Sequence, residues 1–144
     1  MEEQKQQFPA GHSPVGQADQ QEAARRLAET AAAALEDKKG LDVRVMAVAG
    51  QTALADYFVI ATGTSNTHVH ALADEVEFRI KQDLGTDPSH IEGYRNNIWE
   101  LMDYGSVVVH IFTAEARAFY HLERLWGGSP AADSEPNQTA ERNG

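Results

Sequence analysis

The sequence predicts an α/β fold in which one mixed five-stranded sheet is flanked by helices. Three observations carry this prediction. Two segments repeat apolar residues at intervals of three and four. Five short runs are rich in β-branched and aromatic residues. Turns bearing glycine, asparagine or serine separate these segments. The 144 residues are enough for one domain with its own core.

The first helix is predicted from Ala24, Leu27, Ala28, Ala31 and Leu35, which fall on one face. The consecutive alanines Ala31, Ala32, Ala33 and Ala34 also favour a helix intrinsically. Lys38, Lys39 and Gly40 suit its end, where carbonyls lack partners. Residues 43–48 read as a strand, followed by a loop at Gly50, Gln51 and Thr52. Residues 57–61 form a second strand, apolar on both faces and so interior to the sheet. Gly63, Thr64, Ser65 and Asn66 stop this strand and offer N-cap side chains.

Val69, Leu72, Ala73, Val76, Ile80 and Leu84 then mark the clearest helix, which Gly85 closes. Residues 90–94 are predicted as a third strand, with Arg95, Asn96 and Asn97 as a turn. Residues 98–103 and 107–112 are the fourth and fifth, joined at Tyr104, Gly105 and Ser106. These three strands make an antiparallel meander. A last helix begins near Thr113 and places Ala116, Phe119, Leu122 and Trp126 on one stripe.

The domain so defined runs over residues 20–126. Residues 1–19 are rich in glutamine and contain Pro9, Gly11, Pro14 and Gly16. Residues 127–144 are small and polar and contain Pro130 and Pro136. Both are expected to be disordered tails. No stretch approaches the roughly 20 apolar residues of a membrane helix, and the N-terminus lacks a secretory apolar run. There is no cysteine, which excludes disulfides and thiolate metal ligands. The expectation is a cytoplasmic protein with no membrane association.

The formal charge is −10, from 12 basic and 22 acidic residues. Residues 21–126 alone hold 10 basic and 16 acidic residues, so the domain itself is acidic. Such a surface repels phosphate backbones and argues against general nucleic-acid binding. It favours a basic protein partner, although acidity also serves solubility alone.

Signs of catalysis are weak. Gly63, Thr64, Ser65 and Asn66 stand between a strand and a helix, where free N–H groups can hold an anion. No Gly-Lys-Ser/Thr follows, and a capped turn explains the same residues. His68 and His70 are two apart and point to different sides of a helix. Ser65, Ser89 and Ser106 lie in no Gly-x-Ser-x-Gly elbow. Glu100 and Asp103 are three apart, so on a strand they face opposite sides. No catalytic group, metal or cofactor is expected; the competing reading is a nucleotide-binding enzyme that uses the turn at Gly63 to Asn66. Within residues 98–103, Trp99 and Leu101 share a face with Asp103. Trp99 is then either an interface anchor or a core residue beneath a helix.

Several longer segments resemble one family in order and spacing. They are Ala34-Leu35-Glu36-Asp37-Lys38-Lys39, residues 54–66 (Leu-Ala-Asp-Tyr-Phe-Val-Ile-Ala-Thr-Gly-Thr-Ser-Asn), residues 99–105, residues 107–112 and residues 117–126. Over about residues 24–126 the chain resembles the Iojap family of ribosomal silencing factors. The chain departs from the family pattern modestly, at Asn96, Asn97, Ile98 and Met102. The resemblance implies a nucleotidyltransferase-like fold without the catalytic carboxylates. It also implies binding to ribosomal protein fourteen of the large subunit, which sterically blocks the small subunit and represses translation. On that implication, Trp99, Glu100, Leu101, Asp103 and Tyr104, with Asp56 and Tyr57, are expected to form a mixed apolar and acidic docking patch. An apolar sheet face also admits a second copy, so a homodimer is a further expectation.

Overall fold

A computed structural model describes residues 14–52 and 55–122. Its elements are α1 (Pro14–Asp37), β1 (Leu41–Ala47), β2 (Tyr57–Gly63), α2 (Asn66–Leu84), β3 (His90–Tyr94), β4 (Trp99–Asp103), β5 (Val107–Thr113) and α3 (Ala114–Tyr120). The five strands form one sheet in the order β1-β2-β5-β4-β3. β2 and β5 run parallel at its centre, and the other pairs are antiparallel. The sheet is therefore mixed, as the sequence predicts. β2 is its most apolar strand because both of its faces are covered.

Strand alternation divides the core into two layers. Val59 and Ala61 of β2, Met102 of β4, and Val107, Val109 and Ile111 of β5 meet the apolar stripes of α1 and α2. On the other side, Phe58, Ile60 and Phe112 pack with Val48, Ala55 and Ala116. There α3 lies over β2 and β5. Two long helices cover the first layer; among the described residues, a short helix covers the second.

The ends of α2 follow the sequence signals. Ser65 is extended, and its hydroxyl accepts the His68 backbone N–H at 3.1 Å. Gly85 takes the left-handed conformation, φ 69°, and its N–H reaches the Lys81 carbonyl. Gly63 serves a different need: a Cβ there would lie 2.9 Å from both the backbone N and Cγ2 of Val69. The glycine lets β2 and α2 approach closely.

β2 runs on to Gly63, two residues past the expected end, and the elements differ from the sequence expectation in three further places. α1 begins at Pro14, inside the segment expected to be a tail. Proline is accepted at a helix start, and the glutamines and alanines that follow sustain the turn. β1 begins at Leu41, and its register shifts between Leu41 and Arg44. α3 stops at Tyr120, because His121 turns left-handed, φ 52°, and closes it. The expected stripe is therefore broken: Ala116 is buried and Leu122 packs on the core, but Phe119 is 80% exposed. Trp126 and both outer ends of the chain, residues 1–13 and 127–144, lie outside the described residues. Among those described, no helix is long and apolar enough to cross a membrane.

Candidate functional site

The expected patch is built around β4, and strand alternation splits it between the two sides of the sheet. Trp99, Leu101 and Asp103 point away from α1 and α2; Glu100 and Met102 point toward them. On the open side, Trp99 stands opposite Tyr94 and Phe112, Leu101 opposite Glu92 and His110, and Asp103 opposite His90 and Val108. On this side α3, which lies over β2 and β5, meets β4 where Tyr120 packs on Trp99. Leu101 and Asp103 remain partly exposed.

Trp99 is half-buried, so it belongs to both core and surface. Its ring centroid lies 4.6 Å from that of Tyr120, 4.7 Å from Tyr94 and 5.1 Å from Phe112. Its Nε1–H donates to His110 Nδ1 at 3.2 Å. An indole nitrogen only donates, so Nδ1 is the accepting nitrogen and the His110 proton sits on Nε2. That Nε2–H is buried and has no hydrogen-bond partner among the described residues. Burial pushes the His110 pKa down to about 4, so the ring is neutral at ordinary pH.

Glu100 is not part of this surface. The residue is 3% exposed beneath α2, and its carboxylate accepts from His70 Nδ1 at 2.7 Å. That hydrogen bond, followed by the charges of Asp74 and Glu100, raises the His70 pKa. The acid beside Leu101 is instead Glu92 of β3. Its carboxylate takes hydrogen bonds from the Tyr94 hydroxyl and from His90, and both hold its pKa below the usual carboxylate range. Glu92, Tyr94 and His110 were not anticipated from the sequence. The alternation of His90, Glu92 and Tyr94 was visible; the register that sets Tyr94 against Trp99 was not.

The remaining expected residues flank the patch. Tyr57 and Tyr104 pack into the layer under α1 and α2. The Tyr104 hydroxyl is buried without a partner among the described residues, and desolvation raises its pKa. Asp56 lies at the same end of the sheet as Asp103. Its N–H and that of Tyr57 both donate to the Ser106 carbonyl, at 2.7 and 3.1 Å. Asp103 shapes the adjoining turn, its Oδ1 accepting the Gly105 N–H at 2.8 Å.

The turn at Gly63 to Asn66 is occupied by its own side chains. The Thr64 N–H donates to His68 Nδ1 at 2.9 Å, and the Asn66 amide donates to the Asn96 carbonyl at 2.6 Å. His68 Nε2 lies 3.0 Å from the Lys38 carbonyl, stitching the turn to the end of α1. Beside it lies a shallow depression of ≈ 300 Å³, lined by Asn66, Thr67, His70, Asn96 and Asn97. No lysine or arginine lines it. Among the described residues, no three of His, Asp and Glu stand together as a metal site.

The chain as a whole is similar to known proteins. The sequence profile described as "Ribosomal silencing factor during starvation" matches residues 21–144. A ribosomal silencing factor of Halalkalibacterium halodurans is 38% identical over 111 residues, 77% of this chain and 94% of that protein. A ribosomal silencing factor of Bacillus subtilis is 38% identical over 109 residues, 76% of this chain and 92% of that protein. A crystal structure of a Chromobacterium violaceum protein superimposes with a TM-score of 0.70 at 35% identity, covering 82% of this chain and 93% of that one.

Proposed function

The chain belongs to the ribosomal silencing factor family, and from that premise we propose that it acts by docking rather than by catalysis. The open side of β3 and β4 binds ribosomal protein fourteen of the large subunit in the cytoplasm. Bound there, the protein occupies ground that the small subunit needs, and translation falls.

The observation that carries this reading is the setting of Trp99. An aromatic ring held by three ring neighbours and a hydrogen bond, yet only half-buried, has little freedom left to lose on binding. Leu101 extends the apolar surface, and Glu92 and Asp103 flank it with acid. That arrangement suits a basic partner: an apolar anchor ringed by charge gives affinity at the centre and orientation at the rim. The net charge of −10 speeds the encounter and discourages stray RNA. At the turn from Gly63 to Asn66 and just after it, the Thr64 and His68 N–H groups, which a nucleotide could use, are taken by the protein's own side chains.

Binding to purified large subunits tests the proposal. Trp99→Ala lowers affinity by roughly thirtyfold, the cost of truncating a hot spot of about 2 kcal/mol. Asp103→Lys weakens binding as well, by placing a cation against a basic surface. Unchanged affinity in both folded variants would put the contact elsewhere.

A further inference from the structure

His110 makes little sense as a core residue. It sits in central strand β5, 5% exposed, with its ring 5.0 Å from that of Phe58 and 6.1 Å from that of Phe112. Leucine or phenylalanine would fill such a place and leave no polar atom behind. The histidine instead leaves its Nε2–H without an acceptor among the described residues. The hydrogen bond it does make, among the described residues, is the one it accepts from the indole of Trp99. A buried polar group that is destabilising on its own account, and whose partner is a partly buried aromatic, points to a role in that partner's placement.

Resting on the docking role of Trp99, we propose that His110 is a positioning residue that fixes the Trp99 indole in its binding orientation and consumes its N–H within the protein. Two consequences follow. The ring plane of Trp99 is set before the partner arrives, by Nδ1 of His110 on one side and the Tyr94 and Tyr120 rings on others. And with its donor already satisfied, Trp99 offers the partner only carbon. The groups that meet it are therefore apolar side chains or the stems and cations of lysine and arginine, not carbonyls or carboxylates. This agrees with the acidic rim, which calls for the same basic class of partner.

The test uses the full chain in two stages. In the unaltered protein, hydrogen exchange of the Trp99 indole N–H is followed by NMR, with Trp99→Phe used to tell its signal from that of Trp126. Slowed exchange is expected; exchange at the rate of free tryptophan overturns the proposal without any His110 variant having to fold. His110→Asn and His110→Leu are then compared for large-subunit binding. Asparagine keeps an acceptor near the place of Nδ1, and leucine keeps bulk alone. The expected result is that His110→Leu speeds indole exchange and weakens binding roughly three- to tenfold, the worth of one net hydrogen bond, while His110→Asn stays near the original on both. Equal binding by both variants and the original overturns the proposal, as does equal weakening by both, which marks mere packing. If Trp99→Ala weakens binding and His110→Leu does not, only the positioning role fails. If Trp99→Ala leaves binding intact, the docking surface itself is misplaced.

Discussion

Two histidines give opposite slopes to stability against pH. His110 is buried and neutral, with a folded pKa of about 4 against 6.5 for the free ring. Between those values the unfolded chain binds the extra proton. Stability therefore falls as pH falls from about 6.5 to about 4, by roughly 3 kcal/mol in all. His70 is the reverse: its hydrogen bond to Glu100 raises its pKa. What it contributes is fully present below 6.5 and is lost as pH rises through the raised value. The His70 side chain is largely exposed, so solvent screens this effect. Denaturant midpoints measured from pH 4 to 7 check the contribution of His110: the acid limb is expected to flatten in His110→Leu, and an unchanged limb would contradict the burial assigned to that ring. Residue identity alone gave neither result. The sequence shows a histidine within an apolar strand, but only the register of β4 against β5 brings Trp99 to it.

At the scale of elements, the alternation of short strands and periodic helices was legible because each has its own period, two or 3.6. The caps at Ser65 and Gly85 were legible because their chemistry is local. The two layers of the sheet were not, since a strand's period says which residues share a face and not which face a helix will cover. The family resemblance groups Glu100 and Tyr104 with Trp99, although alternation alone sets Glu100 on the opposite face and both turn toward α1 and α2. Glu92 was missed for a related reason: cross-strand neighbours depend on the four-residue turn between β3 and β4, where Arg95, Asn96 and Asn97 all have positive φ. The β2–α2 junction yields a direct test. Gly63→Ala forces a methyl to within 2.9 Å of Val69 and is expected to cost roughly 1–3 kcal/mol, read from urea unfolding. A loss near zero would mean that the strand and helix separate freely there.

For the whole molecule, family membership and acidity point the same way. The profile match reaches from residue 21 to the end of the chain, so the family spans the sheet and all but the start of α1. The two sides of that sheet then divide the labour. α1 and α2 cover one and supply most of the core. Among the described residues α3 covers the other only in part, and in the proposed function β3 and β4 are the part left for a partner. With a charge of −10 the encounter is steered over distance, and salt shortens that reach to about 8 Å at physiological strength. The association rate with large subunits is expected to fall several-fold between low and physiological salt while dissociation changes little. Stopped-flow mixing at several salt concentrations reads both rates, and an association rate indifferent to salt would remove the electrostatic part of the account.

The central claim is that occupancy of the Trp99 face suffices to keep the subunits apart. Light scattering of subunit joining, with large subunits first incubated with the protein, tests it most directly. Phe78→Ala is the control, since Phe78 is a large apolar side chain, 60% exposed, on α2 across the sheet. The account predicts that the original protein and Phe78→Ala block joining at the same concentration, and that Trp99→Ala needs roughly thirty times more. Equal blocking by Trp99→Ala, or undiminished joining by large subunits saturated with the protein, would contradict it.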